Sequence, residues 1–530
     1  MNLTSDRYPY PSQRRLMLGK HYAIATSQPL AVLAGLEMFW EGGNAVDAAI
    51  AAAVALTVVE PTMNGVGGDG FAQIWDGRLQ GLNGSGRSPH AWRFEEFAEY
   101  PKMPRFGWQT VTIPGLVAAW RSAWDRWGKL PFEQLFAPAI RYATEGFPVS
   151  PVTAAAWRLV EKAYLPLQAP EFSYFKTMFF PQGRAPRTGE TWGSQDLANT
   201  LKEIANTGGE SIYSGALAQR IVEFAATTGG KISVSDLQAH QSDWVTPIST
   251  RYRDVDVWEL PPNTQGIAAL LALNILEGFD LGGQRETVET YHRQIEAMKL
   301  AFADTRAHVS DPDFMRLRPE RLLDHPYLCN RRNQIQPHAA PYVHPGFQAG
   351  GTVYLATADQ NLMVSWIQSN YDGFGSGIAI PGTGIALHNR GAGFETSAAH
   401  PNAVAPNKRP FHTIIPGFLT QEDGQPLGPI GVMGAAMQPQ GHVQMVTNLV
   451  DFGLNPQAAL DAPRWRFIEN THVRLEKTVA PTLIQALRDR GHHIELSDPT
   501  WFGKGQIILR HQGSLLAASE PRSDGLAIAG

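Results

Sequence analysis

The sequence contains a single cysteine, Cys329, among its 530 residues. One thiol cannot form an intramolecular disulfide, and it cannot build a cysteine-rich zinc site. The His-Glu-x-x-His pattern of zinc peptidases and the Gly-x-Ser-x-Gly pattern of serine hydrolases are also missing. The adjacent His492 and His493 would point to opposite faces of a strand. We therefore expect no metal site and no Ser-His-Asp triad.

Strong charge and long apolar runs are also absent. The formal net charge is -5, and no cluster of Lys or Arg could line a nucleic-acid groove or hold an anionic membrane. The apolar run Ala48 to Val59 is interrupted by Thr57 and is too short to span a bilayer. The N-terminal residues show no basic-then-apolar signal pattern. We therefore expect a cytoplasmic protein that binds neither nucleic acid nor membrane.

The apolar residues predict helices first and strands later. Hydrophobic residues make up 43% of the chain, which allows a large core. Apolar residues at helical spacing predict helices over Pro29–Trp40 and Ala45–Val59, and helical signals dominate 114–243. After Thr352 the pattern alternates as in strands. The clearest strand candidates are Thr352–Ala358, Leu362–Ser369 and Phe411–Leu419.

The segment Gly65 to Gly70 matches the Gly-x-Gly-x-x-Gly pattern of dinucleotide-binding proteins. A helix is predicted before it and a strand, Phe71–Trp75, after it. A dinucleotide site requires the opposite order. We therefore expect a tight turn between helix and sheet, and no nucleotide cofactor.

Thr352 follows two glycines at the predicted start of a strand. Its hydroxyl could attack the Gly351 carbonyl, where glycine offers little steric resistance. Cleavage there would give pieces of 351 and 179 residues, and the free amine of Thr352 could serve as base to its own hydroxyl. The preceding segment, 331–351, has no periodic apolar face and is expected to be exposed. The alternative is an ordinary Gly-Gly turn into a strand.

Several segments, taken in order, carry a family resemblance that covers nearly the whole chain. They are Gly42–Ala49, Gly65–Phe71, Arg87 with Pro89, Asp311–Phe314, Phe374–Ile378, Pro406–Pro410, Asp451–Asn455, Ala462–Arg464 and Pro521–Ser523. The chain resembles the γ-glutamyltranspeptidase family of N-terminal-nucleophile hydrolases. This resemblance implies an α+β fold, a four-layer αββα sandwich. It also implies a precursor whose large chain, 1–351, and small chain, 352–530, stay associated after autocleavage, without metal or organic cofactor.

The resemblance also implies residue roles. Thr352 takes the position of the nucleophile, and Ser369 takes that of an assisting hydroxyl. Gly434 and Ala435 would offer backbone N–H groups to an oxyanion, provided that the φ angle at Ala435 is negative. Arg87 would hold a substrate carboxylate. Each role has an alternative. Ser369 would simply face solvent, Gly434 and Ala435 would form a turn of small residues, and Arg87 would be a solvated charge.

The chain departs from the family where the α-ammonium group of a γ-glutamyl substrate would bind. Gly393 stands where the family has an acidic residue, and Arg390 adds a positive charge beside Asn389. The family's paired serines become His412 and Thr413. An ammonium group beside arginine would suffer desolvation and repulsion. We therefore expect these residues to bind a substrate with a carboxylate and no α-amine.

The candidate reaction is hydrolysis of oxamate to oxalate and ammonia. Two alternative enzyme functions stay open, a glutathione hydrolase or γ-glutamyltransferase and a glutaryl or cephalosporin acylase. A non-enzymatic alternative is an unprocessed binding protein of the same fold. The expected partner is a small-molecule substrate, and a homodimer is one assembly state that the sequence leaves open.

Overall fold

A computed structural model describes residues 9–11, 14–341 and 351–530. Residues 342–350 of the segment expected to be exposed, 331–351, lie outside the described residues. Within these ranges, no helix has both the length and the apolar character needed to cross a bilayer. The described strands are β1 (Met17–Gly19), β2 (Tyr22–Thr26), β3 (Asp69–Trp75), β4 (Leu79–Asn83), β5 (Phe147–Pro148), β6 (Thr191–Trp192), β7 (Asp243–Val245), β8 (Ile248–Tyr252), β9 (Val255–Glu259), β10 (Gly351–Asp359), β11 (Met363–Tyr371), β12 (Ala379–Ile380), β13 (Ile385–Ala386), β14 (Gly417–Gln421), β15 (Pro426–Met433), β16 (Trp465–Glu469), β17 (His472–Glu476), β18 (His493–Ser497), β19 (Lys504–His511), β20 (Ser514–Ser519) and β21 (Leu526–Ala529). The described α-helices are α1 (Pro29–Trp40), α2 (Ala45–Val59), α3 (Leu116–Trp127), α4 (Ala137–Glu145), α5 (Pro151–Tyr164), α6 (Ser173–Phe179), α7 (Gln195–Asn206), α8 (Ala216–Thr228), α9 (Val234–Gln238), α10 (Gly266–Glu277), α11 (Val288–His308), α12 (Pro319–Leu322), α13 (His325–Arg332), α14 (Met437–Val450), α15 (Pro456–Asp461) and α16 (Pro481–Asp489).

Two seven-stranded sheets form the centre of the molecule. The Thr352 sheet, named for the residue in its strand β10, has the order β21-β2-β10-β11-β3-β4-β7. The second sheet has the order β1-β20-β19-β15-β14-β9-β8. Both contain strands from before and after Thr352, so a cut at that residue would leave two chains sharing both sheets.

Alternate side chains of β10 show how the layers are arranged. Tyr354 and Ala356 pack between the two sheets, whereas Val353 and Leu355 pack against helices α1 to α8 on the other side. The outer face of the second sheet packs against α10, α11 and α14. The order of layers is therefore helix, sheet, sheet, helix, which confirms the predicted αββα sandwich.

Helices α1 and α2 begin where the sequence predicts and pack closely on the Thr352 sheet. The Asn44 side chain accepts hydrogen bonds from the N–H groups of Val46 and Asp47, and Asp47 accepts from Asn44 in return. Every residue of α2 is buried, which explains why this helix is so rich in alanine. Gly35 of α1 lies against the backbone of Ala48. A Cβ at position 35 would be only 2.9 Å from the Ala48 carbonyl oxygen, so the close approach needs glycine.

The strand expected from Phe411 to Leu419 is only partly confirmed, since β14 begins at Gly417. The residues just before Gly417 do not pair with a neighbouring strand. The Ile415 N–H donates to the side chain of Gln438, and Pro416 has no N–H to offer a strand ladder. By contrast, the turn predicted at Gly65–Gly70 leads from α2 into β3 as expected.

We predict that Gly35→Ala lowers the free energy of unfolding by about 1–3 kcal/mol, because the new methyl group forces α1 away from α2. Urea denaturation of the purified protein measures this change. Leu33→Ala, on the exposed side of the same helix, is the control and should cost less than about 1 kcal/mol. Equal effects of the two substitutions would contradict close packing at Gly35.

Candidate active site

Thr352 lies near the start of β10, and its hydroxyl contacts a serine on the neighbouring strand. The register between β10 and β11 shifts by one residue at this point, with Gly351 opposite Tyr371. Such a β-bulge redirects side chains locally. The Thr352 hydroxyl donates a hydrogen bond to Ser369 Oγ over 3.1 Å, and both residues are buried. The alternative of a solvent-facing Ser369 is therefore wrong.

Tyr371 connects Ser369 to a buried arginine. Its φ angle is 77°, in the left-handed region that bulky residues rarely adopt. This conformation turns the amide N–H of Tyr371 back to Ser369 Oγ, 2.7 Å away. The ring of Tyr371 faces Arg390, whose guanidinium carbon lies 4.4 Å from the ring centroid. Burial raises the pKa of Tyr371, so its phenol is neutral at physiological pH.

Arg390 is completely buried beside these residues. Its Nη1 donates to Thr413 Oγ1 over 3.0 Å, and its Nε lies 3.8 Å from Asp69 Oδ2. Within the described part of the chain, Nε and Nη2 have no hydrogen-bond acceptor. Burial lowers the pKa of Arg390 to about 10, which still leaves it a cation at neutral pH. The site therefore holds a buried positive charge with two unused donor groups.

Asp69 lies opposite Ser369 in the sheet and holds several basic groups together. His412 Nε2 donates to Asp69 Oδ2 over 3.0 Å, and His388 Nδ1 lies 3.1 Å from the same oxygen. Burial alone would raise the pKa of Asp69, but these histidines outweigh it and hold the pKa well below its usual range. Burial and the charge of Arg390 lower the pKa of His412 to about 3, so His412 is neutral.

Gly434 and Ala435 lie between β15 and α14, with φ angles of 131° and 53°. The condition of a negative φ at Ala435 is not met, and its left-handed conformation costs about 1 kcal/mol. Among the described residues, neither amide N–H has an acceptor. Gln265 Nε2 donates to the Ala435 carbonyl over 2.9 Å and also to the Thr413 carbonyl. The pair is therefore connected to Arg390 through Thr413, and its role towards an oxyanion stays a prediction.

Arg87 and Asn389, two further residues predicted to bind substrate, also contact other protein groups. Arg87 is part-exposed, and its Nη1 lies 2.9 Å from Asp311 Oδ2 and 3.1 Å from the Asn407 carbonyl. The Asn389 amide accepts from the Asp372 N–H and donates to the carbonyl of Arg105. Arg87 keeps other N–H groups for a ligand, whereas the Asn389 side chain holds two loops together. Asn389 therefore has a structural role, and its predicted contact with substrate stays a prediction.

Gly393, which stands where the acidic residue was expected, has no room for a side chain. A Cβ at this position would lie 2.8 Å from the carbonyl oxygen of Phe411, closer than real Cβ atoms approach. The Gly393 carbonyl also accepts a hydrogen bond from Asn402 Nδ2. The local backbone therefore excludes a carboxylate at this position.

The described residues include one group of donors that could approach a metal, and it lies in the outer helical layer. His292, Glu296 and His492 place one donor atom each within 4.8 Å of the others. The Lys299 ammonium group already bonds to Glu296 over 2.6 Å, and both are buried. A divalent cation would add uncompensated charge beside this lysine. His493 lies in β18 and stacks on His472, so the two adjacent histidines do diverge.

Asp69, Tyr371 and Gln265 belong to the site and were not expected there. The position of Asp69, a charged residue at the start of an alternating strand pattern that ends at Trp75, could have marked it as a site residue. Gln265, a polar residue just before the apolar helix α10, gave a weaker signal. Nothing in the sequence marks Tyr371, because its role depends on a φ angle that only the folded bulge reveals.

Comparison with known proteins places this geometry in a family. Residues 31–530 match the family model described as Gamma-glutamyltranspeptidase. The crystal structure of cephalosporin acylase from Bacillus halodurans is 49% identical, with a TM-score of 0.95 and 99% of both chains covered. The Glutathione hydrolase-like YwrD proenzyme of Bacillus subtilis (strain 168) is 35% identical over 97% of this chain and 99% of its own length. The oxamate amidohydrolase proenzyme of Klebsiella pneumoniae is 35% identical over 96% of this chain and 98% of its own.

The fold and these relatives define an N-terminal-nucleophile amidohydrolase. The chain belongs to the γ-glutamyltranspeptidase family. The resemblance carried by its sequence motifs is thereby confirmed, and so is its nature as an enzyme.

We predict that Ser369→Ala lowers kcat roughly tenfold, because the Thr352 hydroxyl loses the hydrogen bond that orients it. Steady-state kinetics with a chromogenic amide measures the change. Ser365→Ala is the matched control, since Ser365 is a buried serine of the same strand whose hydroxyl contacts Tyr354 instead. If Ser365→Ala slows the reaction equally, the effect of Ser369 is not specific.

Proposed function

We propose that this protein is an autoprocessing threonine amidohydrolase. Its substrate is a small amide whose acyl part carries a carboxylate and no α-amine. The candidate reaction converts oxamate to oxalate and ammonia. One observation carries the proposal: the buried Arg390 cation keeps two open donor groups beside the Thr352–Ser369 pair.

A guanidinium group binds a carboxylate well because two parallel N–H···O bonds form together. The free Nε and Nη2 of Arg390 are the adjacent donors of such a fork. Arg87 offers a second, more exposed guanidinium on the neighbouring loop. Together they favour an anionic acyl group near the nucleophile.

Among the residues that the structure describes at this site, an α-ammonium group would find no free carboxylate. Gly393 cannot carry one, and the carboxylate of Asp69 is already surrounded by His388, His412 and the Gly86 N–H. An unpaired ammonium ion would also repel Arg390. We expect these effects to cost a γ-glutamyl substrate about 2–3 kcal/mol relative to its amine-free analogue.

Processing would begin when Thr352 Oγ attacks the Gly351 carbonyl carbon. The new C–O bond replaces the peptide C–N bond, and the nitrogen takes the proton from the hydroxyl. Water then hydrolyses the ester, which leaves a carboxylate on Gly351 and a free amine and hydroxyl on Thr352. Large and small chains would stay together, because both sheets contain strands of each.

Turnover would repeat this chemistry on the substrate. Thr352 Oγ attacks the amide carbon, and the Thr352 α-amine takes the hydroxyl proton and passes it to the leaving ammonia or amine. The N–H groups of Gly434 and Ala435 stabilise the oxyanion, an effect worth about 3 kcal/mol for each donor in other enzymes. Water finally hydrolyses the acyl ester and frees the acid. No metal or organic cofactor takes part.

A glutaryl or cephalosporin acylase is the second candidate. The observation that favours it is the 49% identity and TM-score of 0.95 with the cephalosporin acylase of Bacillus halodurans. A glutaryl group also carries a carboxylate without an α-amine, so the same arginines would hold it. Chain length between carboxylate and amide separates the two candidates. A cytoplasmic location and a homodimer stay predictions from the sequence.

We predict that Thr352→Ala leaves one unbroken, inactive chain, because it removes the attacking hydroxyl. The native protein should give pieces of 351 and 179 residues in intact-mass analysis. Thr352→Ser keeps a hydroxyl and should still be cut. Active native protein that proves to be a single chain would refute the mechanism.

We predict that glutaryl-p-nitroanilide is cleaved about 30–100-fold better, in kcat/KM, than γ-glutamyl-p-nitroanilide. The two compounds differ only by the α-ammonium group, so the ratio measures its effect directly. Oxamate and acetamide, compared by ammonia release, test the carboxylate in the same way. A preference for the γ-glutamyl compound would reject the proposed substrate class.

A further inference from the structure

Asp69 is unusual because it lies on β3, two strands away from Thr352, and pairs with Ser369 of the intervening strand β11. The carboxylate is completely buried on β3, directly opposite Ser369. Its Oδ2 faces three basic side chains, with His412 at 3.0 Å, His388 at 3.1 Å and Arg390 at 3.8 Å. Its Oδ1 accepts the Gly86 N–H. The mechanism above gives this carboxylate no chemical step.

The distance between Asp69 and Arg390 separates two effects. At 3.8 Å from Nε, the carboxylate attracts the guanidinium ion strongly, because Coulomb energy falls slowly with distance and burial weakens screening. No hydrogen bond forms across that distance. The Nε and Nη2 donors of Arg390 therefore stay open, although its charge is already compensated.

The other groups around Arg390 do not supply a negative charge. The guanidinium ion faces the ring of Tyr371 and donates to the hydroxyl of Thr413, and both are neutral. His412 is neutral as well. Asp69 is therefore the acidic side chain that the described structure places against this cation.

We propose that Asp69 is an internal counter-ion that keeps Arg390 charged and buried in the free enzyme and then weakens its hold on an anionic acyl group. The inference rests on the proposed function, since it assumes that Arg390 binds the substrate carboxylate. It makes Asp69 a specificity-determining residue that acts through Arg390.

This arrangement has a consequence for product release. Hydrolysis turns a neutral amide into a carboxylate, so the product carries one more negative charge than the substrate. The fixed charge of Asp69 repels that product more than the substrate. The counter-ion therefore lowers affinity for both, but it lowers affinity for the product more.

The test is Asp69→Asn in the processed enzyme, with glutaryl-p-nitroanilide and its uncharged methyl ester as substrates. Removing the competing charge should lower KM for the acid about tenfold and leave KM for the ester unchanged. Inhibition by the product glutarate should tighten by at least the same factor, and the thermal unfolding midpoint without ligand should fall. A purely structural Asp69 predicts the opposite, with weaker binding of both substrates, and that result would overturn the proposal.

Arg390→Gln separates failure of this inference from failure of the proposed function. It should reduce kcat/KM for the acid by about 10–100-fold and spare the ester. If it spares the acid too, Arg390 does not bind the carboxylate and the proposed function itself fails. If Arg390→Gln behaves as expected but Asp69→Asn does not lower KM, only the counter-ion inference fails.

The double variant Asp69→Asn/Arg390→Gln provides a readout if the single Asp69 variant folds poorly. It removes both charges, so no buried cation remains uncompensated, and its unfolding midpoint should rise above that of Asp69→Asn alone. A midpoint equal to or below the single variant would contradict the counter-ion role. Asp304→Asn is the matched control, since Asp304 pairs with Arg331 in the outer helical layer and should leave KM unchanged.

Discussion

The antiparallel pairing of β10 with β11 determines where chemistry can take place in this protein. Its regular part fixes the alternation that places Tyr354 and Ile367 between the sheets. Its single irregularity lies at Thr352 and brings the hydroxyl to Ser369. A one-residue slip of either strand would turn these side chains to the opposite face, against the helices. The core that specifies the register therefore also specifies the site.

This location of the site requires charged side chains, Asp69 and Arg390, to be buried. Burying an unpaired ion is strongly unfavourable, so a buried cation needs either a counter-ion or a ligand. The carboxylate of Asp69 balances the positive charge of Arg390, while the Nε and Nη2 groups of Arg390 lack an acceptor in the described structure. Unsatisfied buried donors in a folded protein call for an explanation. A substrate carboxylate supplies one, because it would use the donors that Asp69 leaves open.

Much of the fold could be predicted from the sequence, because its local signals agree with the tertiary structure. The bounds of α1 and α2 and the two neighbouring strands β10 and β11 follow from residue type and spacing. The strand predicted from Phe411 begins only at Gly417, because the Ile415 N–H donates to Gln438 of helix α14 and not to a neighbouring strand. Local patterns contain no information about such long-range partners.

The site was predictable only where chemistry and motif coincide. Thr352 could be identified because its glycines and its strand are neighbours in sequence. Asp69 could not be identified as the partner of Arg390, because their contact joins residues more than 300 positions apart. Ala435 shows the reverse limitation, since its family position suggested a role but could not show that its φ angle is positive. Backbone conformation at a turn depends on packing that residue type alone does not determine.

The closed position at Gly393 explains why specificity in this site depends on several residues at once. A carboxylate placed there must first move the Phe411 carbonyl, and Phe411 is followed by His412, whose side chain bonds to Asp69. Moving that backbone therefore disturbs the counter-ion of Arg390 as well. Residues in one network have coupled effects, so their substitutions do not add. A change from an anionic to a γ-glutamyl substrate would consequently require Gly393, Arg390 and the segment around His412 to change together.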